Sequence, residues 1–259
     1  MLFLIKLPEE DFAVLRKPLE SGRQGLGNLG SMLFVSAFLH ALIFFLTYVA
    51  AGDNTIFPYK ETIFWIHLII TSHLILFSFI YAIPTVYKKS QKIQYLITIL
   101  VSQNMFGILF YIMALFYIGS TFNITTISLL NFTYTTLIIG FLILLMTFVR
   151  FYILLLKGEY RERSSKDKVR AKLEAGIKSY LPILIIGSIG LLFMLQYLIR
   201  LLGLEDIYTV FMLSLCILLF YAMMFVLPEQ LVILYCKYRF NSFNFNKHGE
   251  LNPMGRKGA

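Results

Sequence analysis

Long apolar runs, separated by short polar or basic stretches, set the pattern of this chain. Roughly 31–51, 62–86, 95–118, 125–156, 178–200 and 207–236 are each apolar over the length a helix needs to cross hydrocarbon, about 20 residues. Backbone N–H and C=O groups find no water in lipid, so such segments close their hydrogen bonds internally, as helices. The alternation of a membrane β-barrel, in segments of about 10 residues, is absent. The pattern predicts an all-α, polytopic membrane protein of six transmembrane helices. Residues 1–30 form an N-terminal segment, 31–236 the transmembrane domain, 157–178 a basic loop within it and 237–259 a basic, aromatic tail. The opening MLFLIKLPEEDF does not read as a signal peptide, because its apolar stretch is short, broken by Lys6 and followed by acids.

Composition agrees with the pattern. The chain is 58% hydrophobic and only 14% charged, with mean hydropathy +0.76. Soluble domains carry about 25% charged residues, and no soluble core absorbs this much apolar surface. The net charge of +9 would suggest nucleic acid if it were spread over one face. Instead it alternates between loops. Four Lys and Arg lie in 1–30, three in 87–94, eight in 157–178 and five in 237–259, while Lys60 and Arg200 stand alone on the other side. Arg150, near the end of the fourth span, belongs with the basic side. The positive-inside rule then places both termini in the cytoplasm, and nucleic acid is not an expected partner. A cell (inner) membrane is the expected location, with an organellar inner membrane as the alternative.

The segments between spans carry their own signals. Residues 8–20, PEEDFAVLRKPLE, predict a short interfacial helix: Pro8 and three acids suit its first turn, Arg16 and Lys17 its last. Phe12, Leu15 and Leu19 give it one apolar stripe, which is expected to lie on the inner leaflet or on a partner. Gly25, Gly27 and Gly30 match G-x-G-x-x-G, but no strand precedes them, so a hinge is the expectation rather than a nucleotide loop. A second interfacial helix is expected between the fourth and fifth spans, opened by a Ser164–Asp167 capping box. Val169, Leu173 and Ile177, with Arg170 and Lys172 beside them, mark its candidate docking face for another subunit. The tail interleaves aromatics with Lys237 and Arg239, as interfacial anchors do, and partner subunits are expected to hold it.

Polar groups inside the spans are the candidates for function, because lipid makes them costly. His40 in the first span and His73 in the second fall at similar depth. A bis-histidine haem or a proton relay on that pair is the sharp reading, and an interhelical hydrogen bond is the plainer one. His67 is expected to share a stripe with Thr71 and Ser78. Gln103 and Asn104 sit within the third span. Thr125, Ser128, Asn131 and Thr135 recur on one face of the fourth. Glu229, after Pro228 in FVLPEQLVIL, is expected where the sixth helix reaches the inner interface, with Arg150 as its candidate ion-pair partner. Cys216 and Cys236 build neither a disulfide framework nor a zinc site. No HExxH or G-x-S-x-G is present, so neither an enzyme nor a resident cofactor is expected. The leading expectation is a non-catalytic membrane subunit of a larger complex. A transporter or permease with a path through the first four spans is the alternative, and a haem-binding redox subunit on His40 and His73 the third.

Overall fold

A computed structural model of the chain describes residues 7–172 and 205–255. Among these residues all regular elements are helical, apart from one isolated antiparallel bridge between Phe245 and Leu251. Five helices are long and apolar enough to cross a membrane. They are α1 (Leu26–Ala50), α2 (Lys60–Ala82), α3 (Gln91–Thr121), α4 (Thr126–Leu156) and α5 (Glu205–Arg239). The apolar run 178–200 lies outside the described residues, as do Leu173 and Ile177.

The bundle is apolar on its outside. Met32, Phe38, Trp65, Ile69, Ile138 and Phe141 are each about three-fifths exposed. Water would penalise such a surface and hydrocarbon would solvate it, which makes the fold compatible with a membrane location. α3 is the most buried of the five and packs against α1, α2 and α5.

The helix limits follow from local chemistry. α2 stops at Ala82 rather than continuing to 86, and Ile83 is extended, because Pro84 disfavours a helical residue before it. α1 begins at Leu26, so the glycine segment is not a hinge. Gly27 and Gly30 lie inside the helix, and a Cβ on Gly30 would stand 3.0 Å from the Tyr87 ring and 3.2 Å from the Ala82 carbonyl. The glycine is there to let the loop after α2 approach. α5 does not end near Pro228. It runs on for a further three turns to Arg239, since Val232, Ile233 and Cys236 are buried beyond the proline. Its 35 residues measure about 52 Å against a hydrocarbon core of about 30 Å, so its last turns lie in a polar layer.

That layer gathers the basic segments at one end of the bundle. Glu9–Arg16 forms a tight 3-10 helix followed by one α-turn, Lys17–Glu20. Its apolar stripe is already occupied by this chain: Phe12, Leu15 and Leu19 are buried with Tyr160, Ile233, Phe243 and Phe245. It therefore offers neither a leaflet nor a partner that face. Asp11 pairs with Arg161, Val14 N–H donates to the Tyr160 carbonyl (2.9 Å) and Glu9 accepts from Ser242. The tail is held by its own chain too. Gln91 clamps the Phe245 backbone, donating to its carbonyl and accepting from its N–H, both at 2.8 Å. Asn244 donates to the carbonyls of Lys237 (2.8 Å) and Phe240 (3.1 Å). At the opposite end, Ile56 N–H donates to the Gly119 carbonyl (3.2 Å), closing the charge-poor loop after α1 onto the end of α3.

Candidate functional site

Five buried polar side chains from α1, α2 and α3 form one hydrogen-bonded cluster near the middle of the bundle. Asn104 is its hub. Its Nδ2 donates to Thr71 Oγ1 (3.2 Å) and to His40 Nε2 (3.1 Å), and its Oδ1 accepts from His67 Nε2 (2.8 Å). His67 Nδ1 is 2.8 Å from the Tyr48 hydroxyl. With the amide in this orientation the tautomers are determined by elimination. His67 carries its proton on Nε2 and accepts from Tyr48. His40 accepts on Nε2, so its proton sits on Nδ1. That Nδ1 is buried and has no hydrogen-bond partner among the described residues. Edge-on ring contacts seal the cluster on the α1–α2 side: Phe44 and Tyr48 pack against His67 and Phe64.

Two π-helical segments position this cluster. α1 widens at Leu46–Ala50, around Tyr48, and α3 widens at Gln103–Leu109, beginning just before the hub. π-turns insert an extra residue into a helix and recur at functional sites. Here the widening lets adjacent side chains address different neighbours. Asn104 faces α1 and α2, while Gln103 Nε2 donates to Gln230 Oε1 (3.1 Å) and the Met223 carbonyl (3.2 Å) of α5.

The predicted candidates separate on this geometry. His40, His67, Thr71 and Asn104 come together. His73 does not join them; it is exposed on the other side of α2, with Nδ1 donating to the Ile69 carbonyl (2.7 Å). Six residues turn a helix by about 240°, so His67 and His73 cannot share a face. No His40–His73 haem or relay pair is formed, and both His40 Nε2 and His67 Nε2 are committed to Asn104. Asn131 and Thr135 are exposed and bonded to each other within α4. The hydroxyls that α4 buries are Thr133 and Thr136. The Tyr111 hydroxyl reaches Thr136 Oγ1 (2.6 Å) and the Thr133 carbonyl (3.1 Å), and Tyr221 donates to the Thr136 carbonyl (3.3 Å). One residue of helical phase separates the predicted stripe from the buried one.

Glu229 pairs with Arg170, not with Arg150. Both arginines line a cleft of about 510 Å³ at the basic end, between α4 and α5, with Lys166, Tyr160 and Gln230. Burial holds Lys166 below the usual lysine range, and the nearby Arg150 adds to this. Burial raises the Tyr160 phenol to about 12. Lys166 Nζ donates to the Tyr160 hydroxyl at 2.9 Å. Half of the expected Ser164–Asp167 box is formed: Asp167 N–H donates to Ser164 Oγ (3.1 Å) and opens a helical run over 165–172, while the Asp167 carboxylate accepts from Arg163 N–H (2.8 Å) rather than from Ser164. On that run Val169 and Lys172 are exposed, whereas Arg170 turns inward to Glu229. Among the described residues no three His, Cys, Asp or Glu side chains group as a metal site would require.

Sequence reasoning missed Tyr48, because a tyrosine near a helix end reads as an interface residue. It also missed Lys237, which is almost fully buried. Both follow from how helices pack, which spacing does not encode. No family model, curated protein or solved structure matches this chain.

Proposed function

We propose that this chain is a non-catalytic integral membrane subunit of a larger membrane assembly. The observation that carries this reading is the bonding of the buried polar groups to one another between helices. Asn104, both buried histidines, Thr71 and Tyr48 bond one another across three helices, with His40 Nδ1 left over, and Tyr111 fastens α3 to α4. Such bonds fasten helices that have no hydrophobic drive to associate within lipid. The topology of the proposal is six crossings with both termini cytoplasmic. Its support is the meeting of the four basic segments at one end, which the positive-inside rule assigns to the cytoplasm. The sequence supplies the sixth crossing of the proposal, the apolar run 178–200. The partner-facing surface of the proposal is the basic loop, where Val169 and Lys172 are exposed.

The test is purification of the full chain from its native membrane in mild detergent, with cross-linking mass spectrometry. Migration in an assembly of fixed stoichiometry, cross-linked through 157–172, is the expected result. A lone, monodisperse protein whose melting temperature shifts with a small solute would overturn it.

One observation favours a second reading, a permease. Gln230 lines the basic-end cleft and bonds Gln103, the neighbour of the hub Asn104, so polar side chains run from that cleft to the middle of the bundle. Solute uptake into proteoliposomes that is lost in Gln103→Leu, with the fold intact, would place this reading first.

A further inference from the structure

Two cationic clefts lie at the basic end, and they differ in one respect. The cleft between α4 and α5 is lined by a carboxylate, Glu229, which pairs with Arg170. The other, of about 620 Å³, lies between the loop after α2 and the end of α5. Lys89, Lys92, Lys237 and Arg239 line it, and no carboxylate does.

Lys237 makes the second cleft unusual. The residue is 1% exposed, so its ammonium has been taken out of water. Its Nζ donates to the Phe243 carbonyl (2.9 Å) and lies over the rings of Tyr95 (5.3 Å) and Phe245 (5.5 Å). A carbonyl and two ring faces orient an ammonium but supply no countercharge, and a buried charge without one is costly. No ion pair among the described residues involves Lys237, Lys89 or Lys92. The neighbouring cations are held by rings as well: Lys92 lies over Tyr238 (5.2 Å) and Arg239 over Phe240 (4.7 Å). Ring stacking keeps the Lys92 ammonium in place without cancelling its charge.

We propose that this cleft binds a phosphate-bearing anion, with Lys237 beneath it and Lys89, Lys92 and Arg239 around it. Several cations converging on one volume match an anion of more than one oxygen and high charge density. Ile93 and Tyr238, both well exposed, border the cleft with apolar surface, which suits a phospholipid headgroup as well as a free phosphate. The chemistry is shared, and the source is decided by experiment.

The full chain in detergent is titrated with inorganic phosphate, and in nanodiscs it is compared between neutral lipid and a phosphatidylglycerol mixture. Thermal stability and lipid retention in native mass spectrometry are the readouts. Phosphate stabilising the detergent sample identifies a soluble source, and retention of phosphatidylglycerol alone identifies a lipid. In either case Lys89→Gln and Lys92→Gln should each weaken binding about fivefold. Arg150→Gln, in the other cleft, should leave it unchanged. Lys237→Met should abolish it; if that variant fails to fold, the two rim variants still decide. Equal loss in Arg150→Gln and the rim variants, or no preference for either anion over neutral lipid, would overturn the proposal.

Discussion

Replacing Asn104 by leucine, a side chain of similar volume with no polar atom, removes the hub of the buried cluster. Three interhelical hydrogen bonds disappear together: to His40, His67 and Thr71. In membranes each such bond contributes about 0.6–1.7 kcal/mol, because the unfolded helices also find partners in lipid. The three sum to about 2–5 kcal/mol. The upper part of that range applies here, since His40 would be left with both ring nitrogens buried and unpaired, and orphaned buried groups cost about 1–3 kcal/mol each. The assay is reversible unfolding in bicelles, arranged as a double-mutant cycle with His67→Phe. The two changes should be non-additive by about 0.6–2 kcal/mol, since each breaks the same bond. A loss below about 0.5 kcal/mol, or strict additivity, would show that the cluster does not fasten α1, α2 and α3.

Other outcomes follow from single contacts. Gly140→Ala places a Cβ 2.7 Å from the Phe220 ring, which is itself stacked on Tyr111 at 4.6 Å. The ring has nowhere to yield, so about 1–3 kcal/mol of stability should be lost in the same unfolding assay, and an unchanged value would count against close α4–α5 packing. Gln91→Ala removes both clamps on Phe245, and limited proteolysis should then cut within 241–252 faster while the helical core survives. The tail resisting protease as before would mean that other contacts hold it. Lys166 has a folded pKa lowered by burial, so the unfolded chain binds more protons in the window below 10.5. Its cost is full below the folded pKa and is relieved as pH rises through it. Stability should therefore climb across that window, and Lys166→Met should flatten the climb in melting curves recorded against pH.

Sequence alone determined the class of this protein. Runs of about 20 apolar residues leave the backbone one way to satisfy itself in lipid, so helices and their approximate limits are legible from hydropathy. The alternation of basic loops was legible for the same reason, since charge stays where water is. The stripe of His67, Thr71 and Ser78 on α2 could be read from helical spacing within one element. What spacing cannot supply is rotation between elements. His40 was matched with His73 by depth, yet depth is shared by every residue at one level and facing is not. Whether a polar side chain looks inward depends on the neighbour that α2 meets. On α4 the same uncertainty moved the buried polar side chains from Asn131 and Thr135 to Thr133 and Thr136.

Glu229 shows the division most directly. The sequence placed it at the basic end, and it indeed shares a cleft there with Arg150. The proline before it suggested a helix terminus, but α5 continues because Val232, Ile233 and Cys236 have a buried surface to join. Its ion-pair partner proved to be Arg170, 59 residues away in the chain and on a segment that only folding brings near. The N-terminal stripe and the tail were read as surfaces awaiting a membrane or another subunit, and they are instead each other's core. Apolarity states that a face must be covered. Only the tertiary structure decides by what, because the choice between lipid, partner and self is a comparison of packings that no single segment contains.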